Sequence, residues 1–277
     1  MLSPARARTA IGVCMKAEGA AIAGQQESGN AIHVELPANL PEAARRHIAQ
    51  WGHLDLGPLS LNPAACLQPT DVMDSESATV VALAGELTAR LEHDGERAAT
   101  LFRHVRDAIR YDFAPTLPDR TAWRASATLA RGQGFCQQKA VLLVALARAS
   151  GIPAGLVFQH IVDWKLRDTR FEAVLPGGVI LFHGLCALWL DGAWRAMDPS
   201  LDSDLCARRR YRLVEMPVNG GDALLPADDW DGNRHFDLLG QAGPYADLPV
   251  PVSDMLVALA ETWAEMRGLV ARTGATM

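Results

Sequence analysis

Gly132-Gln133-Gly134-Phe135-Cys136-Gln137-Gln138-Lys139-Ala140-Val141-Leu142-Leu143-Val144-Ala145-Leu146-Ala147 is the stretch whose reading decides the fold. From Ala140 to Ala147 every residue is apolar. A helix over Cys136–Ala149 therefore has no solvent face and is buried all round, unlike an amphipathic surface helix. Gly151 and Pro153 mark its end. Cys136 opens this helix. A cysteine there meets the positive end of the helix dipole and unpaired N–H groups, which stabilise a thiolate. The same N–H groups can hold an oxyanion formed on an attacked carbonyl. The glycines at 132 and 134 permit backbone geometries and close approaches closed to other residues. Taken alone, the context fits a reactive nucleophile and a small core cysteine equally well.

Downstream, Ala154–Val162 alternates as a strand. A second strand runs from Val179 through His183 to Leu190. Asp191-Gly192 is a two-residue hairpin signal, and Ala193–Asp198 returns. With that turn Leu190 faces Ala193, and Trp189 faces Trp194, an aromatic pair that pins the register. Asp198 then faces Leu185, and His183 lies two residues further along the same face. His183 and Asp198 become diagonal neighbours, roughly 7–8 Å apart at the backbone and closer at the side chains. An aspartate so placed fixes the tautomer of the histidine and stabilises its imidazolium form. The histidine can in turn take the proton of a thiol.

Upstream, Val80, Leu83, Ala84, Leu87 and Leu91 repeat at helical spacing, with Gly95 as a stop. A second helix is expected from Glu96, with Ala99, Phe102, Val105 and Ile109 on its buried face and Arg103, Arg106 and Asp107 on the other. Residues 1–30 read as weakly structured, and a helix is expected over Glu42–Trp51. Asn219 to Pro251 reads as loops rich in Gly, Pro and Asp. A last amphipathic helix is expected over Ser253–Arg272.

The chain has 277 residues, 49% of them hydrophobic, a net charge of −6 and a pI of about 5.7. That length supports one large domain with appendages. The acidic balance argues against a sequence-independent nucleic-acid binder. Its one dense basic run, Ala207–Arg212, reads as a solvated loop. The five cysteines are widely spaced and form no CxxC pair, which argues against a disulfide framework and a structural zinc. Asp228-Asp229-Trp230-Asp231-Gly232-Asn233 has its glycine in the wrong place for an EF-hand and reads as a polar turn. No apolar run reaches the about 18 residues of a membrane span. A cytoplasmic, reducing setting is expected, with no metal or cofactor and no membrane partner.

The segments Arg131–Ala140 and Ala147–Ala154, then His183-Gly184, Trp189–Trp194 and Asp198-Pro199, resemble the Cys, His and Asp segments of the transglutaminase-like superfamily, in that order. The flanks Leu67–Thr70 and Asp222–Pro226 resemble a bacterial subgroup of these proteins. The resemblance covers about residues 66 to 250 and implies an α+β, papain-like core in which the Cys helix packs on an antiparallel sheet. It further implies Cys136 as nucleophile, His183 as general base and acid, and Asp198 as orienter. Phe135 stands where a small or hydroxylated residue is usual and would narrow the mouth. Leu185 and Cys186 would make the pocket beside His183 apolar.

These readings divide the chain into an N-terminal extension, 1–65, a catalytic domain, 66–250, and a C-terminal helix, 251–277. Gln133 is the candidate for a side-chain oxyanion donor. The expected activity is that of a cofactor-free thiol enzyme acting on an amide, peptide or thioester. Hydrolysis, acyl transfer to an amine and cyclisation all remain open, as does a binding module without turnover, and the sequence does not set the oligomeric state.

Overall fold

A computed structural model describes residues 31–217 and 221–272; the reading of residues 1–30 lies outside them. In chain order the elements are α1 (Glu42–Trp51), α2 (Ala78–Thr88), α3 (Asp94–Ala108), β1 (Arg110–Tyr111), α4 (Ala125–Arg131), β2 (Gln133–Gly134) and α5 (Cys136–Ala149). They continue with β3 (Ala154–Asp163), β4 (Val179–Leu190), β5 (Ala193–Met197), α6 (Ser203–Arg209), β6 (Phe236–Tyr245), α7 (Val250–Ala258) and α8 (Ala260–Arg272). The architecture is α+β.

The apolar run of α5 acts as the sequence demands. Every residue from Cys136 to Arg148 is buried. Helices α2, α3 and α4 pack on it, and so do strands β3 and β4. The main sheet has the order β5-β4-β3-β6 and is antiparallel throughout. Asp191 and Gly192 both take positive φ, 51° and 79°, the geometry of a type I′ hairpin turn. Trp189 pairs with Trp194 across it, with ring centroids 5.4 Å apart in an edge-on arrangement.

Among the described residues one apolar cluster is by far the largest. Ile32, Leu40, Ala44, Ile48 and Leu56 from the N-terminal segment join it beside α5 and the sheet. The Glu35 N–H donates to the Leu239 carbonyl at 2.8 Å, covering the outer edge of β6. Buried Arg148 is a second tie. Its guanidinium donates to the carbonyls of Gln68, Ala154 and Ala246, fastening two distant segments and the start of β3 to the end of α5.

Five local expectations are corrected. Gly95 does not stop a helix: α2 ends at Thr88 before Leu91, and α3 opens at Asp94 with Gly95 in its first turn. Arg106 is buried, because the Val214 carbonyl, Asp107 and Glu215 solvate its guanidinium. The basic run is no free loop, since α6 extends to Arg209 and Tyr211 is buried with its hydroxyl on Asp163. The tail read as loops contains β6, whose Gly240, Gly243 and Pro244 disguise a strand held by pairing with β3. The terminal helix is two helices broken at Leu259.

Candidate active site

Three elements bring the candidate residues together. Helix α4 ends on Gly132 in the left-handed region (φ 64°), which turns the chain sharply into β2. Three residues later Phe135, in extended conformation, caps α5. The Gln138 side chain reaches back to the Phe135 N–H, half of a capping box, and donates to the Ala122 carbonyl at 2.7 Å. Cys136 is the first helical residue and is 4% exposed.

His183 comes from β4 and Asp198 from the residue after β5. Both are buried. His183 Nε2 and Asp198 Oδ2 are 2.6 Å apart, and the Ser200 N–H donates to Asp198 Oδ1 at 2.9 Å. Asp198 leaves the hairpin register because its N–H donates to the Ala223 carbonyl, which turns the carboxylate towards His183. Cys136 lies close enough to His183 for its charge to act on the imidazole. With Nε2 engaged by Asp198, Nδ1 is the ring nitrogen left for the thiol. Burial by itself lowers the His183 pKa, but the charges of Asp198 and Cys136 outweigh it and raise it to about 10. Burial likewise opposes ionisation of Asp198, and the His183 charge with the Ser200 hydrogen bonds overcomes it, leaving the carboxyl below its ordinary range.

Gln133 lies on β2. Its carboxamide oxygen accepts from Arg110 at the exposed side of β2. Tyr111 comes beside Cys136. Strands β1 and β2 pair in parallel, with Tyr111 opposite Gly134, two residues before the thiol. The Tyr111 N–H donates to Asp202, which also caps α6. Its buried phenol lies close enough to Cys136 for the two groups to interact electrostatically. Burial and the neighbouring Cys136 and Asp198 charges push the Tyr111 phenol well above its ordinary pKa, so it stays a donor. Sequence reasoning missed it because a two-residue parallel pairing leaves no periodic signal.

Phe135 does not hang over the mouth. Its ring is buried between Trp123 and Trp263, each 6.1 Å away. Cys186 is turned towards α5, with its thiol on the Ala140 carbonyl at 3.3 Å, and Leu185 clusters with Val157, Ala187 and Ala196. In the acidic turn, Asp229 pairs with Lys165 at 2.8 Å and accepts from the Asp231 and Asn233 N–H groups. No group of three or more His, Cys, Asp or Glu suited to a metal occurs among the described residues.

The family model of the transglutaminase-like superfamily matches residues 81–199, which hold Cys136, His183 and Asp198. This part of the chain is similar to a transglutaminase-like core. No curated protein matches the chain. Among solved structures, a candidate cysteine protease from Cytophaga hutchinsonii is 20% identical with a TM-score of 0.41, over 70% of this chain and 57% of that one. The periplasmic domain of TgpA from Pseudomonas aeruginosa is 20% identical with a TM-score of 0.37, over 55% of this chain and 51% of that one. The chain thus spans little more than half the length of either. No helix among the described residues is long and apolar enough to cross a membrane.

Proposed function

We propose that the protein is a thiol hydrolase that cleaves an amide, peptide or thioester through an acyl-enzyme on Cys136. The observation that carries this reading is the His183–Asp198 pair at 2.6 Å with Cys136 on the other side of the imidazole. His183 takes the thiol proton, and the thiolate attacks the carbonyl carbon. The Tyr111 hydroxyl, together with the Cys136 N–H at the start of α5, stabilises the oxyanion of the tetrahedral intermediate. His183 then gives its proton to the leaving amine or thiol as the bond to carbon breaks. Water, deprotonated by His183, attacks the resulting thioester and releases the carboxylic acid and the free thiol. Asp198 keeps the ring in the tautomer that presents Nδ1 to sulfur and balances the imidazolium charge.

The working unit of this reading is residues 66–250, with 1–65 and 251–277 as flanks. A reducing, cytoplasmic setting goes with it, because a reactive thiolate is otherwise lost to oxidation. An amine in place of water would make the same acyl-enzyme a transferase.

The test is acylation with p-nitrophenyl acetate, followed by peptide mapping and by turnover with and without methylamine. The expected adduct lies on Cys136, forms with burst kinetics and is released by water. Asp198→Asn should slow acylation by about 100-fold while the protein remains folded, with triad precedent reaching 10⁴. An adduct on Cys14 or Cys66 with none on Cys136 overturns the reading. Release only in the presence of methylamine moves it to acyl transfer.

A further inference from the structure

The base and the nucleophile are joined a second time, behind the reacting atoms. Phe182, the residue before His183, lies in the left-handed region at φ 53°. A bulky aromatic there is an outlier that persists only when its surroundings over-determine it. The strand register explains the placement. Gln159 faces His183 and Ile161 faces Ile180, so Leu181 and Phe182 together oppose His160 alone. This is a β-bulge, a device that re-aims the side chain beside it, and the side chain beside it is His183.

Both polar groups of the Phe182 peptide are held by buried side chains. Its N–H donates to His160 Nδ1 at 3.1 Å. Its carbonyl accepts from Gln137 Nε2 at 2.8 Å. Each of these partners is itself fixed. His160 Nε2 donates to the Gly52 carbonyl at 3.0 Å, and Gln137 Oε1 accepts from the Trp123 indole N–H at 3.0 Å. The His160 ring also packs edge-on against the Phe182 ring, 4.6 Å between centroids. Trp123, Gln137, His160 and Phe182 are all at most 1% exposed. Gly184, on the other side of His183, has no Cβ because one would meet the Gln137 Cα at 2.7 Å. The residue after the nucleophile is therefore clamped to the residues on both sides of the base.

We infer that Gln137 and His160 are positioning residues that hold the Phe182 bulge from its two ends and thereby set the approach of His183 to Cys136. The inference rests on the Cys136–His183 reading above. Gln137 transmits the position of the α5 N-terminus to β4, and His160 transmits that of β3. His160 suits the task only as a neutral ring, one nitrogen donating and the other accepting; burial, partly opposed by the bond to Gly52, lowers its pKa to about 4.

The experiment is the pH profile of Cys136 alkylation by iodoacetamide, read by peptide mapping, with a thermal melt of every variant. In the wild type, reaction should reach half its plateau well below the ordinary thiol range of about 8.5. In Gln137→Met and His160→Leu that half-plateau should rise by about one pH unit, with a loss of about tenfold in rate at pH 6. His160→Gln, which retains an acceptor for the Phe182 N–H, should recover at least half of the shift. A purely structural role would lower the melting temperature and leave the profile in place. Profiles of folded Gln137→Met and His160→Leu that coincide with a wild-type profile of low midpoint overturn the positioning role alone. A wild-type profile in the ordinary thiol range overturns the Cys136–His183 reading beneath it. Where either variant does not fold, Trp123→Phe removes only the donor that fixes Gln137 and should move the midpoint in the same direction by a smaller amount. An unmoved midpoint there overturns the inference as well.

Discussion

His183 and His160 lie on adjacent strands one rung apart, and both are buried. Burial disfavours the charge of each. Yet the first is raised to about 10 and the second lowered to about 4. The difference lies in what fills the space around each ring. His183 has a carboxylate on one side and a thiol on the other. His160 has a backbone carbonyl and a backbone N–H, with the charges of His53 and His47 adding to the effect of burial. A buried histidine becomes a proton carrier only when a full negative charge accompanies it. With neutral partners it becomes a fixed polar joint. On the proposed reading, one sheet holds both kinds, the joint beside the carrier.

The largest test of this contrast is the same substitution at each ring. His183→Gln should reduce Cys136 acylation by about 1000-fold, within the range of general acid–base catalysis. His160→Gln should reduce it by less than about tenfold, because its ring reaches the reaction only through Phe182. Acylation rates at pH 7 decide the matter, and equal losses at the two positions would dissolve the distinction.

Tyr111→Phe sharpens the comparison from the side of the thiol. If the phenol donates to the oxyanion, turnover should fall by about 10²-fold, while the pH midpoint of Cys136 alkylation moves little. A shifted midpoint with unchanged turnover would mean that Tyr111 tunes the ground-state thiol only.

The smallest effect is on stability, and its sign differs between the two rings. The folded-state pKa of His160 lies below the ordinary value of about 6.5. The unfolded chain therefore binds its proton first, and stability falls as pH drops from about 6.5 towards 4. The folded-state pKa of His183 lies above that value. Its contribution is complete below about 6.5 and is lost as pH rises towards 10. Each slope is at most about 1.4 kcal/mol per pH unit. Denaturant melts across pH should show His160→Gln flattening the acid limb and His183→Gln flattening the alkaline limb. A variant that flattens the opposite limb would reverse the assignment.

The α5 run, the two-residue turn and the Trp189–Trp194 pair carried their own signals, because a helix without a polar face and a hairpin with a fixed turn are local facts of the chain. They put Cys136 at the head of a buried helix and brought His183 and Asp198 to one side of a hairpin. Strand β6, the parallel β1–β2 pair and the bulge at Phe182 have no such signal. Each exists because a distant segment supplies hydrogen bonds that its own residues do not request: β3 for β6, Gly132 and Gly134 for β1, His160 and Gln137 for Phe182. The same holds for Gln133 and Tyr111. Sequence distance favoured the glutamine three residues from the thiol, but a parallel pairing turned it to Arg110 and brought in a tyrosine from the preceding strand. The sequence by itself determined the buried helix headed by Cys136 and the hairpin that carries His183, since periodicity and turn type act over a few residues. Only the tertiary structure decided what aims and solvates them, since a buried polar group takes its partner from whatever the fold brings within about 3 Å.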